Sequence, residues 1–268
     1  MIRKKPITPE IHPEDIPHIL SDFFDLATTS NFPIKHRYFA ACKYFHKLQK
    51  GKASSDKVPL KVKILLSEIY EILIMSEKLR TTNKWKELSR VKDITTIFAE
   101  SQVGSYYRRR GYKVKWLSPE SKDPPDLIVT DPDIKLCVDI EVKIKDDSLK
   151  VKDFNSAVKA VFNSLSKSLK SLNNRKAEER PAVVAIHADK DLDWNVWLTN
   201  HEVFRRLKSR FDRDEYKCIS GIIFSGGNDI YEIEKGVKAI DTKLVSFISH
   251  RADYPLPKGF LPSISGEL

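Results

Sequence analysis

Residues 138–145 read Val138-Asp139-Ile140-Glu141-Val142-Lys143-Ile144-Lys145, an unbroken alternation of β-branched and charged side chains. A period of two belongs to a strand. It turns Val138, Ile140, Val142 and Ile144 towards a core and gathers Asp139, Glu141, Lys143 and Lys145 on the other face. Working outward, Asp131-Pro132-Asp133 is turn chemistry, and it separates a strand over Lys135–Lys145 from one over Asp126–Thr130. A third β-like run, Tyr112–Leu117, precedes these, so the three form an antiparallel meander.

The flanking segments are helical. Ile94, Ile97, Phe98 and Val103 mark a helix that ends at Arg108-Arg109-Arg110-Gly111, where cations meet the negative end of the helix dipole and Gly111 supplies a left-handed cap. After the meander, Phe154, Ala157, Val158, Val161, Phe162, Leu165, Leu169 and Leu172 recur at helical spacing. Pro181–Ala188 is a continuous apolar run suited to a buried strand, His201–Arg210 a further helix, and Ile219–Ser225 a strand that Gly226-Gly227-Asn228 closes as a tight turn. Helix, three strands, helix, strand, helix, strand specifies an α/β chain with a mixed sheet flanked by helices.

Residues 1–90 read differently, as an all-helical N-terminal region ahead of an α/β domain over 91–268. Pro13-Glu14-Asp15 opens a helix carrying Ile16, Ile19, Leu20, Phe23, Phe24 and Leu26. A second helix is expected from Pro33 to Gly51, and a third after Pro59 with Val62, Leu65, Leu66, Ile69, Leu73 and Ile72 as candidates for its buried side. On the second helix Lys35, Arg37, Lys43, Lys47 and Lys50 interleave with Tyr38, Phe39, Tyr44 and Phe45. That pattern fits either a nucleic-acid contact surface or an amphipathic helix with solvated lysines.

Of 268 residues, 41% are hydrophobic and 31% charged, enough apolar mass for a core and too much for the disordered class. The longest apolar runs fall far short of the roughly 20 residues that a bilayer helix needs. Met1-Ile2-Arg3-Lys4-Lys5-Pro6 leads into no apolar segment, so the expectation is a soluble, cytoplasmic protein without a membrane partner. Cys42, Cys137 and Cys218 are far apart and lack zinc spacing, which reads as reduced core residues. The net charge of +10 points to a polyanion, and it is unevenly placed: residues 1–90 hold 17 basic and 10 acidic side chains, residues 91–268 hold 30 and 27.

Chemistry enters with Pro125-Asp126. A hairpin-like connection brings Asp126 beside Glu141, and carboxylates converging at ~4 Å repel by about 4 kcal/mol at an effective dielectric near 20. Such a cluster needs a cation. Hard oxygen donors without nearby His or Cys favour Mg²⁺, with Mn²⁺ as substitute, and Mg²⁺ keeps waters and takes phosphate oxygens. Water on such an ion becomes a better nucleophile, and the ion offsets charge building on phosphorus.

Pro125-Asp126 followed by Glu141-Val142-Lys143 resembles the PD-(D/E)xK signature of the restriction-endonuclease-like nucleases. The resemblance covers about residues 93–225 and implies that family's fold. It implies Asp126 and Glu141 as metal ligands joined by the Val142 carbonyl, and Lys143 as the group that orients the attacking water or stabilises the transition state. Asp126, Glu141 and Lys143 are therefore the catalytic candidates. Glu100 matches a position where many members carry a further acid; a solvent-facing helical Glu is the alternative.

Other residues are read more plainly. Asp139 is expected to pair with Lys145, His187 to be a hydrogen-bonded structural residue, and Trp194 and Trp197 to anchor a core. Ser156, Lys159, Asn163, Lys167 and Lys170 share the polar side of their helix and fit either a phosphate track or a solvated face. Lys145, Lys159, Asn163, Lys43 and Lys47 are the candidate nucleic-acid contacts. The expectation is a Mg²⁺-dependent endonuclease acting on DNA ahead of RNA, in restriction, defence or mobile-element processing, with residues 1–90 serving substrate binding or homodimerisation. The alternative is a non-catalytic nucleic-acid-binding module on a nuclease-like fold.

Overall fold

The structure, a computed structural model, describes residues 11–29, 31–117, 125–145, 154–174, 179–188, 201–232, 238–262 and 264–267. The chain forms two compact units, one of residues 1–111 with 228–241, the other of residues 112–227 with 242–268. The division thus falls after Gly111 rather than near residue 90.

Among the described residues, five α-helices build the first unit: α1 (Ile16–Leu26), α2 (Phe39–Gln49), α3 (Leu60–Ile74), α4 (Ser76–Thr81) and α5 (Ile94–Arg109). α3 is the hub, packing on α1, α2 and α5, which is why α5 belongs to this unit. All six apolar residues expected on α1 are buried. On α3 it is Ile72 that turns inward, while Leu73 is only part-buried. α2 begins at Phe39, not at Pro33. The intervening residues are held in turns by His36, whose ring stacks on Phe32 at 3.9 Å, donates from Nε2 to the Leu88 carbonyl at 2.9 Å and receives the Tyr38 N–H on Nδ1 at 3.2 Å.

α5 departs from the amphipathic helix that its sequence suggests. It is buried on every side from Ile97 to Tyr107, including Glu100, Ser101, Gln102 and Ser105. Polar groups in such a place need partners. Glu100 has the Lys84 ammonium, Ser105 donates to Glu71, and Arg109 reaches Glu71 at 2.7 Å. Arg108 donates to the Ile74 carbonyl at 2.7 Å, so the arginine cluster ties α5 to α3 and its end, with Gly111 at φ +86° as the expected left-handed cap.

From α5 onward the predicted order of elements, helix, three strands, helix, strand, helix, strand, is present among the described residues. The sheet has seven strands in sequence order: β1 (Lys113–Trp116), β2 (Leu127–Thr130), β3 (Cys137–Lys145), β4 (Ala182–Ala188), β5 (Gly221–Glu232), β6 (Lys238–Ile248) and β7 (Ile264–Glu267). β1, β2 and β3 form the antiparallel meander. β3, β4 and β5 run parallel, joined through α6 (Phe154–Asn174) and α7 (His201–Phe211). Two successive crossovers of one hand put both helices on one face of the sheet. There Val158, Val161, Leu165 and Leu169 of α6 and Val203, Leu207 and Phe211 of α7 close over Val184, Ile186, Ile222 and Phe224.

The Gly226-Gly227-Asn228 turn is not formed: β5 runs straight through it to Glu232. β6 and β7, which the sequence reading did not anticipate, complete the sheet. Gly221, at the start of β5, sits in a tight place, where a Cβ would meet Leu261 Cδ1 at 2.9 Å and the Phe247 carbonyl at 3.0 Å. Cys42, Cys137 and Cys218 are free thiols, but only Cys42 is fully buried.

Candidate active site

The meander fixes the central geometry. β2 and β3 pair with Leu127 opposite Ile140, so one step further the antiparallel ladder sets Asp126 against Glu141. Asp126 Oδ2 accepts the Val142 N–H at 2.6 Å, a short charge-assisted bond that anchors the carboxylate to β3. Glu141, 5% exposed, takes the Lys143 ammonium in an ion pair. The two residues are neighbours on one face of β3, and Lys143, with 26% of its side chain exposed, carries that face towards solvent. Asp126, Glu141 and Lys143 are therefore brought together.

In register with β4, Glu141 lies beside Val184 and Lys143 beside Ile186, both part of the core under α6 and α7. The acidic pair thus shares the helix-covered face of the sheet. His187 lies on the opposite face, aligned with Ile144 and Ser225, and its Nδ1 is hydrogen-bonded to Ser225 Oγ at 3.0 Å. This is the structural role expected of it.

Two expectations need correction. Asp139 pairs with Arg180 at 2.7 Å, not with Lys145. Its backbone N–H also bonds the Pro181 carbonyl at 3.0 Å, so Asp139 fastens the start of β4 to β3. Glu100 is not solvent-facing: it is 2% exposed in the first unit, with its carboxylate against Lys84. Its charge is already compensated there.

On α6, Lys159, Asn163, Lys167 and Lys170 are all exposed, and no acidic residue interrupts the helix. Lys43 and Lys47 are exposed on α2, whereas Tyr38, Tyr44 and Phe45 are buried and Phe39 is part-buried, so three of the four interleaved aromatics do not share a surface with the lysines. The side chains of Lys145 and Ser156, and the whole of Trp194 and Trp197, lie outside the described residues. Arg180, Lys84 and the bidentate Arg37–Glu68 pair (2.7 and 2.9 Å) were missed by the sequence reading, because each partner lies far away in the chain or carries no local motif.

Asp126 and Glu141 present hard oxygen donors only, the set that suits Mg²⁺ when waters and substrate oxygens complete its octahedron. Among the described residues no group of three His, Cys, Asp or Glu side chains is arranged to hold a metal ion. The residues fit the two-carboxylate mode of binding, not a closed protein cage. Among the described residues, too, no helix is long and apolar enough to cross a membrane. Comparison with models of known protein families, with curated proteins and with solved structures finds no match.

Proposed function

We propose that this chain is a metal-dependent nuclease of the restriction-endonuclease-like kind, hydrolysing phosphodiester bonds in DNA ahead of RNA. One observation carries the reading: the Asp126 carboxylate, one residue before the β2–β3 ladder begins, sits on the Val142 N–H next to Glu141, with Lys143 on the same face of β3 as Glu141. Asp126 and Glu141, with the Val142 carbonyl, would hold Mg²⁺ or Mn²⁺, which when bound supplies positive charge for the phosphate and acidity for the attacking water. The remaining work belongs to the chain. The Val142 amide fixes Asp126, and the β3–β4 register fixes the direction of Glu141. Lys143, free to leave Glu141 once another cation takes the carboxylate, would orient the water or stabilise charge on the phosphate. The exposed lysines of α6 would follow the substrate backbone.

A second reading, a non-catalytic nucleic-acid-binding module, has one observation in its favour. Each carboxylate already has a partner inside the protein, Asp126 the Val142 amide and Glu141 the Lys143 ammonium. Supercoiled circular DNA, linear DNA, single strands and RNA, each incubated with and without Mn²⁺, separate the two readings. Nicking of closed circles that needs the metal and disappears in Glu141→Ala and Lys143→Ala supports the nuclease. Cleavage in EDTA, or cleavage indifferent to both substitutions, refutes it; metal-independent binding without cleavage supports the second reading.

A further inference from the structure

The positive surplus of the first unit has a definite location. From Lys43 to Lys61 six lysines (43, 47, 50, 52, 57 and 61) are exposed, against one acid, Asp56. None of the six has an ion-pair partner among the described residues, whereas Arg37, Lys84, Arg108 and Arg109 of the same unit are tied to carboxylates. Cations that serve stability are paired; these are not.

Three of them sit on one rigid track, and a fourth follows it directly. At 100° per residue, Lys43, Lys47 and Lys50 fall within about 60° of one another around α2, along roughly 10 Å of its length. α2 then ends in a Schellman motif, Gly51 at φ +64°, with the Lys52 N–H bonded to the Lys47 carbonyl at 2.8 Å and the Gly51 N–H to Leu48 at 3.0 Å. The Tyr44 hydroxyl donates to the Ser54 carbonyl at 2.7 Å and holds the following turn, so the backbone of Lys52 is fixed at the end of the stripe, on the carbonyl of Lys47. Lys57 is different, because the Pro13–Asp15 turn packs against Ser55–Lys57 and brings Glu14 and Asp15 to that end.

We infer that Lys43, Lys47, Lys50 and Lys52 form a surface that binds the phosphate backbone of double-stranded nucleic acid without reading bases. The reading in the preceding section is not required, since neither Glu141 nor a metal takes part. The choice of partner follows from what the track lacks. Binders of single strands stack bases on exposed aromatic rings, and no residue exposed between 43 and 61 is aromatic. Helices that lie on lipid bury a broad apolar face, and Leu60 is the one large hydrophobic exposed here. What remains is ammonium groups on a fixed scaffold, the chemistry of phosphate contact and counterion release.

The test is fluorescence anisotropy of the full chain with a labelled duplex of about 25 base pairs, in EDTA, between about 50 and 200 mM salt. Loss of four phosphate contacts at about 0.9 each makes the slope of log K against log salt shallower by about 3 to 4 in the Lys43→Gln/Lys47→Gln/Lys50→Gln/Lys52→Gln variant. The matching Lys→Arg variant keeps the wild-type slope, and Lys57→Gln changes it least. Matching circular dichroism spectra and melting temperatures establish that all variants fold. An unchanged slope in the quadruple Gln variant overturns the inference, as does absence of duplex binding by the wild type. It is equally overturned if phosphatidylserine vesicles hold the protein against excess duplex, which would make lipid the partner, or if single strands bind as tightly as duplex. Loss of cleavage with binding intact bears on the nuclease reading alone.

Discussion

Asp126 has two tasks that two substitutions pull apart. Its carboxylate holds the Val142 N–H at 2.6 Å, and its charge stands opposite Glu141. Asp126→Ala removes both and leaves the Val142 amide, on a buried residue, without its acceptor. A hydrogen bond to a charged group contributes about 1.5–3 kcal/mol, and that is the expected loss. Asp126→Asn keeps an oxygen over the amide while giving up the charge. A neutral bond is worth about 1 kcal/mol, and relief of repulsion with Glu141, small because Lys143 already compensates it, works in the opposite direction. Asp126→Asn should therefore stay within about 1 kcal/mol of wild type. Urea titration measures the difference, and hydrogen exchange of the peptide containing Val142 localises it: protection falls in the Ala variant and persists in the Asn variant. Metal-dependent cleavage should vanish in both. An Ala variant as stable as wild type would refute the structural half of this reasoning, and an Asn variant that cleaves normally the chemical half.

Two further outcomes are expected in the first unit. Glu68→Ala leaves Arg37, stacked over Phe98 at 5.0 Å, without its bidentate partner and should cost about 3 kcal/mol, the low end for a broken buried pair because Arg37 is partly exposed. The double variant Arg37→Met/Glu68→Leu should recover most of that loss in the same urea titration; no recovery would mean that the packing, not the stranded charge, sets the cost. Burial holds the pKa of His36 below its ordinary 6.5, although the Leu88 bond pulls the other way. Below pH 6.5 the unfolded chain takes up a proton that the folded one refuses, so this contribution to stability is complete above 6.5 and declines as pH falls towards the lowered folded value. Melting temperatures of wild type and His36→Gln should converge between pH 7.5 and 5.5, and parallel curves would exclude His36 as the titrating group.

Legibility in the sequence followed the range of the interactions. The alternation of 138–145 and the turn at 131–133 are local signals, and with them came the antiparallel meander and the approach of Asp126 to the Glu141-Val142 stretch of β3. α6 and α7 announced themselves by period, because each buries one stripe against a sheet face. α5 did not: enclosed from Ile97 to Tyr107, it has no wet side to set a period, and its buried Glu100 and Ser105 find their partners, Lys84 and Glu71, outside the helix. Arg180 took Asp139 from Lys145 for the same reason, since the parallel β3–β4 pairing that joins them spans the whole of α6. Gly226-Gly227 read as a stop because glycine is weak in an isolated strand, and the strand persists through it next to β4. The lysines of α2 were visible; that their aromatic neighbours point inward was not.

The helices of the first unit come from one contiguous stretch, and that has a bearing on synthesis. A chain emerging from the ribosome delivers α1 to α5 before the first strand of the sheet, so α3 has α1, α2 and α5 to pack on while β1 to β7 are still untranslated. The sheet comes late: β5 can join β4 only after α7 has been made. A nascent chain stalled between β4 and β5 should therefore remain a target for proteases and chaperones through its unfinished sheet.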